Sequence, residues 1–330
     1  MHSSELQTPA LVVDAAALDH NLTTMAAALP GARLRPHVKA HKTTALAARQ
    51  AAHGHLGFTC ATVREVEGLA AAGLGADLLL ANEVVDARRL GAVVGAGSRV
   101  TVAVDSDETV DAAVAGGVRE VVIDVNVGLP RCGCDPSDAG RLADLARRKG
   151  LGVRGVMGYE GHAVGLPEHD VRQQLCAQAM ELLLAAHRDV GGDVISAGGT
   201  GTYDMNTWAN EIQAGSYALM DTAYAKLDLP FVQALFVWST VISVSPAFAV
   251  ADCGLKSLGM DHGNPSVANG SVWFCSDEHT TIGFETPVQV GDRVKVVPAH
   301  IDPTIAYHER MHLVSGERVI ETWPVDLRGW

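Results

Sequence analysis

The chain has 330 residues, of which 48% are hydrophobic, and it carries a formal net charge of −13. This length and apolar content predict a large buried core, arranged as one barrel or as two domains. The acidic charge argues against a nonspecific nucleic-acid binder, because such proteins neutralise phosphates with clustered Lys and Arg. No stretch reaches the ~18–20 consecutive apolar residues that a membrane-spanning helix needs.

The cysteines and the N-terminal residues predict a cytoplasmic protein. Residues 1–9 are polar and lack the apolar segment of a secretion signal. Cys132 and Cys134 are close enough to suggest a metal site, but no second cysteine pair accompanies them, which favours ordinary thiols. The six cysteines, at positions 60, 132, 134, 176, 253 and 275, do not have the density of a disulfide framework.

Strand-like and helix-like segments alternate through the first 220 residues. An N-terminal strand at 10–13 is followed by a helix that Asp14 caps and that runs to about residue 28. Further strands are predicted at 34–39, 57–60, 77–81, 99–104, 120–125, 153–158 and 194–197, with an eighth near 217–220. Helices are predicted at 43–52, 63–72, 86–95, 107–115, 138–149 and 169–190. This α/β order favours a TIM-like (β/α)8 barrel; an open doubly wound sheet is the alternative.

The last hundred residues follow a different pattern. Beyond residue 231, short apolar runs alternate with turn residues, and no convincing helix interrupts them. We therefore expect a barrel over residues 14–230 and a mainly antiparallel β domain over residues 231–330. The N-terminal strand within residues 1–13 is expected to complete the sheet of that second domain.

A lysine at a strand end is the first candidate for chemistry. Residues 34–42 read LRPHVKAHK, and Lys39 falls where the predicted strand gives way to the next helix. A Lys amine among apolar neighbours and a second cation is available as the free base and can form a Schiff base. The carboxyl ends of barrel strands are where such groups lie. A solvated basic loop is the alternative on these residues alone.

Two glycine-containing turns are candidates for binding a phosphate. Residues 196–202 (SAGGTGT) follow the seventh predicted strand, and residues 215–217 (GSY) lie beside the eighth. Backbone N–H groups that converge at glycines can hold one phosphate, and loops after the last two barrel strands commonly do so. The Lys of a P-loop and the spacing of a dinucleotide fingerprint are absent. One phosphate together with a Schiff-base lysine indicates pyridoxal phosphate (PLP); a plain flexible turn is the alternative.

Two further side chains are expected at the same barrel face. Arg131 follows the strand at 120–125 within a rigid turn and could hold the phenolate oxygen of the cofactor, with a structural salt bridge as the alternative. His162 follows the strand at 153–158 and could act as a general base, although a lone His is often purely structural. Tyr159 precedes it by three residues and is also a candidate cofactor contact.

A metal site is predicted in the tail. Residues 298–304 read PAHIDPT, and on an extended segment His300 and Asp302 would point the same way. Imidazole plus carboxylate suits Zn²⁺ or Mn²⁺ and leaves positions open for water or substrate. Residues 276–279 (SDEH) could support the ligands by hydrogen bonds. A β-hairpin with an incidental His is the alternative.

Six segments together resemble one family. They are TPALV at 8–12, RPHVKAHK at 35–42, TCAT at 59–62, LLANE at 79–83, GTGT at 199–202 and PAHIDPT at 298–304. Almost from end to end the chain resembles the D-threonine aldolase and eukaryotic-type D-serine dehydratase family of fold-type III PLP enzymes, which are relatives of alanine racemase. The resemblance implies a PLP-bearing barrel, a β domain and a homodimer. It also implies a divalent metal ion: Mn²⁺ or Zn²⁺, with Mg²⁺ or Co²⁺ as alternatives.

The resemblance assigns roles to individual residues. Lys39 matches the Schiff-base lysine, Arg131 the arginine at the ring oxygen, His162 the base, and His300 with Asp302 the metal pair. The phosphate site is matched by Gly199, Thr200, Gly201, Gly215 and Ser216, and Tyr217 is included with them. Where alanine racemase-like relatives place an Arg against the pyridine nitrogen, the counterpart is Gln213. A neutral partner is expected to leave that nitrogen unprotonated and the electron sink weaker.

The implied activity is that of a D-threonine aldolase, which cleaves D-threonine and related β-hydroxy-D-amino acids to glycine and an aldehyde. The dehydratase branch carries Cys at the position of Asp302, which favours the aldolase. The alternative is a D-serine or D-threonine dehydratase, which eliminates the hydroxyl to give a keto acid and ammonia. A non-catalytic PLP carrier is a further hypothesis, but it needs no metal pair. Neither nucleic acid nor a membrane is an expected partner.

Overall fold

Two structural units divide the chain in the computed structural model, which describes all residues, 1–330. The first unit comprises residues 1–24, 40–45 and 216–326, and the second comprises residues 25–39, 46–215 and 327–330. The chain therefore passes more than once between the two. The domain boundary that the sequence places near residue 230 stays a prediction.

Seven parallel strands form the sheet of the second unit. In chain order they are Gly57–Cys60, Asp77–Leu80, Val100–Val104, Glu120–Asp124, Gly152–Met157, Val194–Ala197 and Glu211–Ile212, and each pairs with the next. The strands are rich in Val, Leu and Ile because a parallel sheet is covered on both faces. The α/β fold with a TIM-like sheet is thus confirmed.

Residues 34–37 join the first and last of these strands. Leu34 bridges to Ile212 and His37 bridges to Thr59, both in the parallel sense. The Arg35 N–H donates to the carbonyl oxygen of Ile212 at 2.9 Å, and the Thr59 N–H donates to that of Pro36 at 2.9 Å. This segment closes the barrel through isolated bridges, because proline at position 36 has no N–H to extend a ladder. The strand predicted at 34–39 is therefore much shorter than expected.

The helices agree closely with the sequence pattern. They are Ala15–Ala28, Thr44–Ala52, Val63–Ala71, Arg88–Gly95, Asp107–Gly116, Ala139–Arg148 and His169–Val190. Their starts are fixed by side-chain caps where the sequence offers them. Thr62 accepts from the Glu65 N–H, and Ser106 accepts from the Thr109 N–H, in two capping boxes.

The barrel interior has a polar layer beneath an apolar one. Asp77 accepts from Arg35 and from Arg154, each at 2.8 Å. Burial raises the pKa of Asp77, but these two guanidinium groups outweigh it and hold that pKa at about 2. Two residues further along the strands, where side chains return to the same face, Leu79 packs with Ala103 and with neighbours from the next strands.

The first unit is built on a mainly antiparallel sheet. Its strands are Ala10–Asp14, Leu235–Val244, Ala249–Ala251, Ser266–Val267, Gly270–Cys275, Thr280–Phe284, Arg293–Val297, Arg310–Ser315 and Arg318–Pro324. Ala10–Asp14 pairs antiparallel with Leu235–Val244 and parallel with Arg310–Ser315. The prediction that the N-terminal strand completes this sheet is therefore confirmed.

Two local predictions are wrong. The eighth strand is predicted near residues 217–220, but the last parallel strand is Glu211–Ile212, and residues 216–218 form a 3₁₀ turn. Residues 217–220 are all buried, and that burial produced an apolar run indistinguishable from a strand. The tail also contains a helix, Ile301–Ala306, which is too short to show a helical period. No helix of the structure has both the length and the apolarity that crossing a membrane requires.

The close approach of two helices yields a stability prediction. A Cβ atom on Gly91, inside the helix Arg88–Gly95, would lie 1.7 Å from the carbonyl oxygen of Gly116. Gly91→Ala is therefore expected to lower the free energy of unfolding by about 1–3 kcal/mol, as overpacking does. Gly95 ends the same helix with no atom within 4 Å of its Cβ position. Gly95→Ala should be neutral or stabilising by up to about 1 kcal/mol in urea unfolding. Equal effects would contradict the packing interpretation.

Candidate active site

Lys39 lies in a single 3₁₀ turn, Val38–Ala40, immediately after the segment that closes the barrel. Its side chain is half-buried, and its Nζ lies 5.9 Å from the centroid of the Tyr159 ring. The Arg131 Cζ lies 5.4 Å from the same centroid. Lys39 and Arg131 thus both lie near the Tyr159 ring. These three residues, which the sequence assigns to the cofactor, come from three separate segments of the chain.

A hydrogen-bonded turn presents Arg131. The Asn126 side chain accepts from the Gly128 N–H at 3.0 Å and donates to the carbonyl oxygen of Leu129 at 3.1 Å. Gly133 has φ +105° and a Cβ there would lie 2.5 Å from the Asn126 nitrogen, so the turn requires glycine. The Arg131 guanidinium at its tip is exposed on the side of Tyr159 and remains available to an anionic ligand.

His162 is held with one ring nitrogen inside the protein. Its Nδ1 is buried and makes no hydrogen bond in the chain. Gly128 has φ +126°, and a Cβ there would lie 2.9 Å from the His162 ring, so the glycine provides space for the imidazole. A buried polar atom without a partner is uncommon, because it gives up solvation without compensation. A bound substrate or cofactor would restore that partner.

A buried carboxylate holds the glycine-rich turn. Glu160 is fully buried, and its Oε2 accepts from the Gly198 N–H at 3.1 Å. Its Oε1 accepts from the Thr202 hydroxyl at 2.9 Å and from the Asn206 amide at 3.1 Å. Glu160 was not predicted to have a role, although an acidic residue beside an apolar strand end was a signal for a buried network.

These hydrogen bonds determine which N–H groups of the turn remain available to a ligand. The Gly199 N–H donates to the Thr202 hydroxyl oxygen at 3.2 Å, so it is already used. The Gly201 N–H is buried and has no acceptor in the chain. A phosphate would supply that acceptor, and the turn therefore fits the phosphate of PLP.

The other proposed phosphate residues have different surroundings. Gly215 is buried, and Ser216 begins the 3₁₀ turn Ser216–Ala218. The Tyr217 side chain is 1% exposed, and its ring packs 5.7 Å from that of Phe231. Tyr217 therefore contributes to the apolar core, and its assignment to the cofactor stays a prediction.

The metal pair is brought together, but not on an extended segment. His300 has extended backbone, whereas Asp302 lies in the first turn of the helix Ile301–Ala306. The helix starts there because Asp221 accepts from the Ile301 N–H at 3.1 Å, and Lys42 donates to the carbonyl oxygen of Asp302 at 2.8 Å. The predicted i, i+2 geometry is therefore wrong, although the pair itself forms.

The geometry of the pair fits a cation. The His300 Nε2 lies 4.0 Å from the Asp302 Oδ1, which is buried and makes no hydrogen bond. An ion between these two atoms would satisfy both. The His300 Nδ1 lies 2.7 Å from an Asp261 oxygen, so this carboxylate fixes the ring and directs Nε2 towards Asp302. The His262 ring stacks on that of His300 at 4.0 Å.

Asp261 and His262 were missed by the sequence analysis. They occur as an adjacent acid and imidazole in a loop, a weak signal without knowledge of what lies opposite. The prediction that residues 276–279 support the metal ligands is wrong, because Asp261 forms the hydrogen bond to His300. Glu278 pairs instead with Lys256 on the surface.

Removal of the Asp261 carboxylate is expected to weaken metal binding. Asp261→Ala should raise the Kd for Mn²⁺ about 10–100-fold, as loss of a hydrogen-bonded partner of a ligand does. His300→Ala should abolish binding. His312, on the strand Arg310–Ser315, bonds to Thr322 instead, and His312→Ala is the matched control that should leave Kd unchanged. Calorimetric titration with Mn²⁺ measures all three; an unchanged Kd for Asp261→Ala would contradict the assignment.

Asp124 lies near Arg131, with the carboxyl group of Glu83 beside it. Burial raises the pKa of Asp124 well above its ordinary value, and the neighbouring Glu83 carboxylate raises it further. A hydrogen bond to Glu83 raises the pKa of the Cys132 thiol to about 11. Arg131 acts in the opposite direction on Asp124. Burial and the Glu83 carboxylate thus disfavour ionisation of Asp124, and Arg131 partly offsets them.

The raised pKa of Asp124 predicts a pH dependence of stability. Its contribution is fully present below the unfolded pKa of about 3.9 and is lost as pH rises through the folded value. Asp124→Asn, which resembles the protonated acid, should remove a decline of up to about 1.4 kcal/mol per pH unit in that window. The exposed Asp144 serves as control, since Asp144→Asn should leave the slope unchanged in urea unfolding between pH 5 and 8. Equal slopes for Asp124→Asn and the unmodified protein would contradict the assignment.

Comparison with known proteins places the chain among PLP enzymes. Residues 13–223 match the family model of the alanine racemase N-terminal domain, and residues 234–314 match that of a putative serine dehydratase domain. The chain is 32% identical to D-threonine aldolase of Arthrobacter sp, over 99% of this chain and 94% of that protein. It is 31% identical to 3-hydroxy-D-aspartate aldolase of Paracoccus denitrificans, over 100% and 94% of the two chains.

The same family relationship appears in three dimensions. The crystal structure of D-threonine aldolase from Filomicrobium marinum superposes with a TM-score of 0.92 at 35% identity, covering 99% of this chain and 96% of that one. Sequence and structure thus agree over nearly the whole chain. The protein belongs to the D-threonine aldolase and D-serine dehydratase family of fold-type III, alanine racemase-like PLP enzymes, and it is a lyase.

Proposed function

We propose that this lyase is a PLP- and divalent-metal-dependent D-threonine aldolase, which cleaves D-threonine and related β-hydroxy-D-amino acids to glycine and an aldehyde. One observation carries the choice: the buried, unpartnered Asp302 Oδ1 opposite the His300 Nε2. A carboxylate and an imidazole suit a hard divalent ion, whereas the dehydratase branch that the sequence resembles has Cys at this position.

The second unit supplies the residues for the cofactor. Lys39 would hold its aldehyde carbon, Arg131 its ring oxygen, and the N–H groups of the turn at Gly201 its phosphate. PLP, when bound, accepts the electron pair that is released as the Cα–Cβ bond of the substrate breaks. The centroid of the Tyr159 ring lies 5.9 Å from the Lys39 Nζ and 5.4 Å from the Arg131 Cζ.

His162 is the proposed base. Retro-aldol cleavage needs removal of the proton from the β-hydroxyl, so that the oxygen can form the carbonyl of the departing aldehyde. The buried Nδ1 of His162 has no partner in the chain, and a neutral imidazole nitrogen of this kind can accept that proton. Gly128 keeps the space at the ring open.

The metal pair of the first unit enters the proposal as a requirement for activity. A divalent ion supplies positive charge that favours the loss of a hydroxyl proton. Asp261 holds the His300 ring and the Asp221 carboxylate holds the start of the helix that carries Asp302. We propose Mn²⁺ or Zn²⁺, with Mg²⁺ or Co²⁺ as alternatives.

A D-serine or D-threonine dehydratase is the second candidate. It is favoured by the match of residues 234–314, which include the metal pair, to a putative serine dehydratase domain. The same lysine and metal pair would serve it, but the β-hydroxyl would leave and the products would be a keto acid and ammonia. The two candidates therefore differ in product and not in cofactor.

Two wider assignments belong to the same proposal. The six cysteines are free thiols in the structure, which suits a reducing cytoplasmic environment. The proposed assembly is a homodimer, as the family resemblance implies. The proposed partner is a small β-hydroxy-D-amino acid.

Product analysis distinguishes the candidates. Purified protein given PLP, Mn²⁺ and D-threonine is expected to yield glycine and acetaldehyde, and a chelator is expected to abolish the reaction. Asp302→Ala should lose at least about 100-fold in kcat/KM, because a ligand to the activating ion is removed. Asp277→Ala, in an exposed turn, is the control and should retain full activity.

The opposite results are equally clear. 2-Oxobutyrate with ammonia would replace the aldolase by the dehydratase. Undiminished turnover in the presence of chelator, or by Asp302→Ala, would overturn the metal requirement.

A further inference from the structure

A line of polar side chains crosses the interior of the barrel and ends at Gln213. The Gln213 Nε2 donates to the Ser196 Oγ at 2.8 Å, and the Ser196 hydroxyl donates to the Glu211 Oε1 at 2.7 Å. The second Glu211 oxygen lies 2.7 Å from the Arg35 Nε. Ser196 is completely buried, and Arg35 and Glu211 are less than a tenth exposed, so solvent does not compete for these bonds.

The charges at one end fix the direction of every bond. The buried Arg35 guanidinium keeps a permanent positive charge and pairs with one oxygen of Glu211, while the other oxygen accepts from Ser196. Ser196 has a single hydroxyl proton, and Glu211 receives it. The Ser196 oxygen can then only accept from its remaining neighbour, so the nitrogen of the Gln213 amide must face Ser196.

The oxygen of the same amide is left for a ligand. Gln213 follows the last parallel strand, at the carboxyl end of the barrel where Lys39 and the phosphate turn also lie. Its side chain is half-buried, and its Oε1 has no donor in the chain. A fixed amide thus presents an acceptor and cannot rotate to present a donor without breaking its bond to Ser196.

We propose that Gln213 presents this oxygen to the pyridine nitrogen of bound PLP and holds that nitrogen in its protonated form, with Ser196 and Glu211 as positioning residues. The proposal rests on the proposed cofactor site. An acceptor opposite an unprotonated ring nitrogen would set two lone pairs against each other, whereas an N–H donates to it. The expectation from the sequence was the opposite: because Gln is neutral, the pyridine nitrogen was expected to be unprotonated.

The consequence concerns the strength of the cofactor as an electron acceptor. A protonated ring nitrogen carries positive charge into which the electron pair from the substrate can be drawn. A neutral residue can therefore serve a strongly activated cofactor, provided that its amide orientation is fixed. The residues that fix it, Ser196 and Glu211, act through Gln213 and not directly on the substrate or the cofactor.

The test is ¹⁵N NMR of the holoenzyme reconstituted with PLP labelled at the ring nitrogen. The unmodified protein at neutral pH should show the resonance at the position of a pyridinium N–H. A resonance at the position of unprotonated pyridine, with the cofactor bound, would overturn the inference and leave the proposed function intact. A protein that retains no labelled PLP after gel filtration would overturn both.

Two substitutions isolate the role of the amide orientation. Ser196→Ala frees the Gln213 amide to rotate and should move the resonance towards unprotonated pyridine. Gln213→Glu in the Ser196→Ala background has only acceptor oxygens and should restore the pyridinium position. An unchanged resonance in Ser196→Ala, with the fold verified by circular dichroism, would contradict the positioning role, as would failure of Gln213→Glu to restore it.

Discussion

The burial of the Glu160 carboxylate is the constraint on which the cofactor site depends. A buried charge is tolerated only when its lone pairs are occupied, and Glu160 is fully enclosed with three donors within 3.1 Å. Those donors belong to the turn and the loop that follow the strand Val194–Ala197. The strand end that carries Tyr159 and His162 is thereby tied to the turn that presents the Gly201 N–H. Neither segment can move without exposing or orphaning the carboxylate.

Buried polar groups with matched partners also occupy the interior of the barrel. Arg35 lies in the same chain segment as Lys39, and its guanidinium pairs with both Asp77 and Glu211. It thereby connects the strands that lie on the two sides of this segment. Polar groups in a barrel interior are retained only when each has a partner, and here the partners set an order of donors and acceptors. This sequence of hydrogen bonds ends at Gln213, at the carboxyl end of the barrel. On the proposal made above, the protonation of the cofactor depends on Ser196 and Glu211, which act only through Gln213.

Much of this could be predicted from the sequence, because the signals were periodic or local. The helix His169–Val190 and the strand Val194–Ala197 agree with the prediction at both ends. Arg131 and His162 each follow a strand, and Lys39 follows the segment that closes the barrel, so the rule that barrel chemistry lies at the carboxyl ends of strands was enough to group them. The proximity of His300 and Asp302 was also predicted, although from an extended backbone that the structure does not have.

Other features could not be predicted, for identifiable physical reasons. Proline at position 36 limits its strand to isolated bridges, a restriction that hydrophobic pattern does not report. The helix Ile301–Ala306 is started by Asp221, eighty positions away in the chain, so the backbone of Asp302 could not be inferred locally. Glu160 and Asp261 act through partners that are distant in sequence.

The central claim is that Lys39 is the residue to which the cofactor is attached. Reduction of the PLP-loaded protein with borohydride makes that bond permanent, and mass spectrometry of its peptides then locates the label. The account predicts a single pyridoxyl group on Lys39. Labelling of Lys42, three residues further on, or of any other lysine in its place would contradict the account.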